Sequence, residues 1–115
     1  MSRTLIKESG TSAIACADSW GPYSAKYKLK YVTVKLDAAA TTSEALTVTV
    51  NSATGAAYDT IIVSDDLSIG SKTSFLYRWD SGFDICKGDV LDLAYTNTDT
   101  NTVSWVAYID PQPAD

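Results

Sequence analysis

Fourteen acidic side chains and no histidine bound the chemistry open to this chain. Without histidine, the commonest general base and metal ligand is missing, and neither a Ser-His-Asp nor a Cys-His pair can be assembled. Two cysteines, Cys16 and Cys86, are too few for a cysteine zinc site. No Walker loop and no G-x-G-x-x-G stretch is present. The carboxylates remain. Asp65 and Asp66 are adjacent, so an extended chain points them to opposite faces, and capping a turn explains them better than sharing a cation. Asp80, Asp84 and Asp89 flank turns around Gly82 and Gly88, and none of these follows the spaced Asp/Asn loop of an EF-hand. Asp84 with Asp92 could imitate a glycosidase pair, which needs two carboxyls at a fixed separation across a cleft. No supporting motif accompanies them. The sequence therefore names no catalytic, cofactor-binding or metal-binding residue, and the expectation is a non-enzymatic protein without cofactor or small-molecule substrate.

Charge and composition narrow the partners. A net charge of −5 opposes binding to a phosphate backbone, which needs a Lys/Arg patch. Lys26, Lys28, Lys30 and Lys35 gather on one predicted strand, where a solvated or edge face is the better reading, since lysine on an edge discourages unwanted pairing. No nucleic acid is expected. The N-terminal residues 1–8 hold no apolar run of signal-peptide length, and no stretch approaches membrane-spanning length, so no membrane partner is expected. The cysteines read as two reduced, buried thiols in a protein made in the cytoplasm, although spacing leaves a bridge between them open.

The elements that would carry any site are strands. Residues 85–109 organise the chain. Lys87-Gly88-Asp89 makes a leading turn, Leu91, Leu93 and Tyr95 alternate with polar neighbours, Asn97 to Thr102 form a polar loop, and Val103, Trp105, Ala107 and Ile109 alternate again. We expect these two strands to pair as a hairpin that needs further strands on its apolar face. Upstream, strands are expected at 4–8, 26–36, 44–50, 58–63 and 73–79. Turns are expected at 51–55, 65–71 and 80–82, and a loop at 37–43. On 26–36, Leu29 and Tyr31 are expected on one face and Val32, Val34 and Leu36 on the other. Residues 1–24 read as an irregular N-terminal arm, 25–110 as the β-sandwich domain and 111–115 as a short tail whose prolines bar it from inner pairing.

About seven to eight short strands with regular turns and no βαβ unit predict an all-β, antiparallel, two-sheet sandwich. The Cys…Trp…Cys spacing of antibody-type domains is missing, so a jelly-roll arrangement is preferred to an immunoglobulin-like one. Tyr31, Phe75, Tyr77, Tyr95 and Trp105 are expected to fill the core. Trp20, Tyr23 and Phe83 fall at turns or in the arm. They are the candidate protein–protein interface, because aromatics are enriched there.

From Asp59 to Ile109 the chain resembles small all-β virion proteins of tailed bacteriophages. The segments that carry the likeness are Ala56-Ala57-Tyr58-Asp59-Thr60, residues 64–71, Gly88-Asp89-Val90-Leu91 and residues 94–102. Residues 28–36 and 42–50 extend it. These are patterns of strand and turn rather than catalytic signatures. The resemblance implies a virion component, with capsid decoration or cement as the leading role. The partner would be the major capsid protein, and the protein a homo-oligomer, a trimer being one option. It would be made in the host cytoplasm and located on the virion. A tail, neck or fibre-base component is one alternative, and a carbohydrate-binding adsorption module is another.

Overall fold

The structure is a computed structural model, and it describes residues 6–22 and 26–111. Eight strands form two four-stranded antiparallel sheets. They are β1 (Ile6–Ser12), β2 (Cys16–Trp20), β3 (Tyr27–Leu36), β4 (Ala45–Asn51), β5 (Thr60–Asp66), β6 (Ser74–Ile85), β7 (Val90–Tyr95) and β8 (Val103–Pro111). The first sheet has the order β1-β8-β3-β6 and the second β2-β7-β4-β5. Single 3₁₀ turns at Ala56–Tyr58 and Ile69–Ser71 flank β5. Among the described residues no helix is long and apolar enough to cross a membrane.

Alternation builds the core. Every second residue of β4, β7 and β8 is apolar and buried: Leu46, Val48 and Val50, then Leu91, Leu93 and Tyr95, then Val103, Trp105, Ala107 and Ile109. The inner faces of the two sheets meet there, as the packing of two half-apolar layers requires. Leu29, Leu46, Leu91 and Ile109 have no exposed surface, and each such side chain contributes about 1.5–3 kcal/mol by leaving water.

The expected hairpin is corrected. β7 and β8 are consecutive but lie in opposite sheets, β7 between β2 and β4, and β8 between β1 and β3. Their apolar faces therefore look at each other across the core, and residues 96–102 bridge the gap between layers. Alternation reports which side of a strand is buried, and it is blind to whether the next strand lies beside it or opposite it.

Residues 1–24, read as an irregular arm, contribute β1 to one sheet and β2 to the other. The signal lay in alternation too weak to stand out: Cys16, Asp18 and Trp20 face inward, but a carboxylate sits between the apolar pair. Two bulges explain further differences. The register of β3 with both neighbours shifts between Leu29 and Tyr31, which turns Leu29, Val32, Val34 and Leu36 all to the core and sends Tyr31 to the outer face. A one-residue bulge re-aims side chains in this way. β6 does not turn at 80–82 but runs on to Ile85. Opposite the Leu29/Tyr31 step it takes up residues 79–82 as a wide bulge, with Gly82 at φ +79°. β3 is an inner strand, so its lysines occupy a solvated face and not an edge. Pro111 closes β8 opposite Tyr27, so the first residue of the expected tail is paired, and 112–115 lie outside the described residues.

Candidate functional site

Each carboxylate that could have carried chemistry has a local structural role. Asp99 accepts hydrogen bonds from the backbone N–H and hydroxyl groups of both Thr41 and Thr42, at 2.6–3.0 Å. Those donors, the Thr42 hydroxyl foremost, hold its carboxyl well below the usual carboxylate range. Glu44 accepts from the backbone and hydroxyl of Thr98, and Asp37 from the backbone of Thr102. Together they tie the 37–44 loop to the 96–102 loop, a link between the two sheets at one end of the sandwich. Asn97 completes it. It is 2% exposed, and its Nδ2 donates to the carbonyls of Ile14 and Asn101.

Asp66 caps the turn after β5 by accepting from Ser43 and from the backbone and hydroxyl of Ser68. The Ser43 hydroxyl leads in lowering its carboxyl below the ordinary range. Asp65 points the other way and takes the Tyr77 hydroxyl at 2.7 Å. Burial, with Asp65 beside it, pushes the Tyr77 phenol far above its usual value. Asp89 accepts from the Ala53 backbone beneath the Tyr27 hydroxyl, which burial pushes up to about 12. Asp84 lies beside Lys28 on the outer face of the first sheet, whereas Asp92 takes the Ser19 hydroxyl on the outer face of the second. The two cannot flank one sugar bond. Among the described residues, no group of three or more His, Cys, Asp or Glu side chains could hold a metal ion.

The candidate interface residues separate. Trp20 is 1% exposed and belongs to the core, which corrects its reading as a free anchor. Its Nε1 donates to Asp18 Oδ2 at 3.0 Å, and the indole of Trp105 donates to the same oxygen at 2.9 Å. Asp18 thus clasps the two sheets at the β1/β2 side. Gly10, opposite Trp105 in register, is what lets that indole lie flat. Tyr23 lies outside the described residues. Phe83 is half-buried, edge-to-face with Trp79 at 6.2 Å. Of the expected core aromatics, Phe75, Tyr95 and Trp105 are buried and Tyr77 is half-buried. Tyr31 is outside, stacked on Tyr108. The thiols also differ: both are free, Cys16 buried and Cys86 exposed.

On one side of the sandwich β5 and β6, each an outermost strand of its sheet, border a groove lined by Ile62, Asp65, Tyr77, Arg78 and Trp79. Of the five exposed large apolar residues, Ile61 lies on β5, Leu76 on β6, Ile69 in the 3₁₀ turn between them and Tyr58 in the 3₁₀ turn before β5; Ile61 pairs with Thr49 on the outer side of the second sheet and Leu76 with Thr33 on the outer side of the first. Sequence reasoning missed this groove because 58–63 and 73–79 read as ordinary strands, with nothing to say that each stands at a sheet edge.

The fold and surface define an eight-stranded antiparallel β-sandwich. No protein-family model matches the chain, and no curated protein matches it in sequence.

Proposed function

We propose that this protein is a non-enzymatic virion component of a tailed phage, a decoration or cement protein that docks on an assembled capsid shell. We read its sandwich as a jelly roll. The pairing of β1 with β8, β2 with β7, β3 with β6 and β4 with β5 supports that arrangement, because it is what a long antiparallel ribbon produces when it wraps into two sheets. Capsid proteins use this architecture, and lectins do too, so the fold alone does not choose a function. The observation that carries the reading is the exposure of Tyr58, Ile61, Ile69 and Leu76 on and beside the edge strands β5 and β6. A protein of this kind stabilises its target by mass action, binding the assembled shell and not its dissociated subunits.

Sedimentation tests this. Purified protein mixed with undecorated shells should pellet with them, saturating at hundreds of copies per particle and raising the temperature at which shells rupture. A few copies per particle would move the protein to the tail or neck. Protein that stays in the supernatant, together with binding on a glycan array, would replace the proposal with the carbohydrate module.

A further inference from the structure

The basic residues of this chain are unevenly placed. Five of its nine Lys and Arg residues, Lys7, Lys28, Lys30, Lys35 and Arg78, lie on strands β1, β3 and β6 of the first sheet. The four strands of the second sheet contain none. Alternation sends these side chains outward, since Leu29, Val32, Val34 and Phe75 between them face the core. Register then sets them in rows. One row across the sheet runs Lys7, Tyr108, Tyr31, Arg78; the next runs Ser9, Val106, Thr33, Leu76; Lys35 stands in a third, between Ser104 and Ser74.

The tyrosine rings stack at 4.3 Å, and the Lys7 ammonium lies 5.5 Å from the Tyr108 ring centre. A shallow depression lined by Thr33, Lys35, Ser74 and Leu76 lies on the same face, with Leu76 57% exposed. The carboxylates present stand at its margin: Asp84 is 3.6 Å from Lys28, Asp80 is 3.7 Å from Arg78, and Asp110 is beside Lys28 in register. Lys30 and Lys35 have no carboxylate partner among the described residues. A chain of net charge −5 thus carries one cationic, partly apolar face, continuous through β6 with the groove described above.

We propose that the outer face of the β1-β8-β3-β6 sheet is a docking surface for an acidic protein surface, whose carboxylates meet Lys7, Lys30, Lys35 and Arg78. This rests on the reading of the protein as a docking module and names the chemistry of what it docks on. The surplus of charge on this face steers and orients an acidic partner within the screening length of about 8 Å at physiological salt. Leu76, Val106 and the tyrosines add the apolar and aromatic surface typical of protein interfaces. Nucleic acid fits less well. Tyr31 and Tyr108 spend ring faces on one another and on Lys7, where base stacking needs an open platform.

The test uses the full chain, isotopically labelled, titrated at low salt with poly-L-glutamate as the acidic probe, with oligo-dT and a heparin fragment in parallel. Amide shifts should concentrate at Lys7, Tyr31, Thr33, Arg78 and Tyr108. The K30E/K35E variant, its fold checked in the same spectrum, should bind at least about tenfold more weakly, and K72E/K87E, whose residues lie outside the strands of this sheet, within about twofold of the parent. Shifts on the second sheet, equal losses in the two variants, or tighter binding of oligo-dT or heparin would each overturn the proposal. The capsid reading is tested separately. If parent protein pellets with shells and K30E/K35E pellets equally well, the face is wrong and the capsid reading stands. If the probe binds as described but shells do not, the face stands and the capsid reading falls.

Discussion

Replacing Gly10 with alanine probes the clasp that joins the two sheets. An ideal Cβ at Gly10 would lie 2.5 Å from Trp105 Cζ2, 2.7 Å from Cε2 and 3.0 Å from Nε1. Real side chains do not tolerate such distances, so the indole must move. It has little freedom to do so, because Trp105 is 5% exposed and its Nε1 is held 2.9 Å from Asp18 Oδ2. Overpacking of this kind costs about 1–3 kcal/mol, and loss of a hydrogen bond to a charged group about 1.5–3 kcal/mol. Relaxation shares the strain between the two, so Gly10→Ala should destabilise by about 2–4 kcal/mol. Urea unfolding followed by tryptophan fluorescence measures it, with Thr11→Ala on the exposed side of the same strand as control. A phenyl ring lacks the edge that collides, so Gly10→Ala in a Trp105→Phe background should be milder by at least about 1 kcal/mol. A Gly10→Ala protein within about 0.5 kcal/mol of the parent, or additive effects in the cycle, would refute the reasoning.

Three further outcomes are expected. Asp99 and Asp66 have carboxyls lowered from the ordinary value of 3.8 by the hydroxyl and backbone groups they accept from. Their contribution is therefore complete above that value and is lost as pH falls below it, toward the depressed folded values. Thermal melts should show the parent losing stability as pH falls below about 4, and Asp99→Asn, already weaker at pH 6, losing less over the same interval; parallel curves would count against the loop lock. A thiol reagent should modify one cysteine in the folded protein, Cys86, because Cys16 is buried and burial pushes its thiol up to about 11; equal reaction of both would contradict the packing around β2. Leu93→Ala at the centre of β7, 2% exposed, should cost about 2–5 kcal/mol, against little for Ala94→Ser on the outer face, read by the same denaturation.

Much of the sandwich was legible because burial follows the alternation. Leu46, Val48 and Val50, like Leu91, Leu93 and Tyr95, declare both a strand and its inner side. Pairing was not legible. Nothing in residues 85–109 distinguishes two neighbours in one sheet from two strands facing each other across a core, and the choice depends on partners about forty to a hundred residues upstream. Bulges were hidden for a related reason: one extra residue at Lys30 reverses the faces of β3 without changing composition. Gly10 and Asp18 escaped notice because a glycine and a carboxylate weaken the very pattern that marks a strand, and each makes sense only beside Trp105. The cationic face was half visible, as lysines on 26–35. Its meaning needed Lys7 and Arg78, which only the sheet order brings alongside.

Lysine footprinting on assembled particles is the most direct measurement of the central proposal, that the sandwich docks through one charged outer face. Acetylation followed by mass spectrometry compares each lysine in the free protein and in protein bound to shells. Lys7, Lys30 and Lys35 should become shielded on binding while Lys72 and Lys87 stay reactive. Bound protein whose Lys7, Lys30 and Lys35 react as readily as in solution would contradict the account.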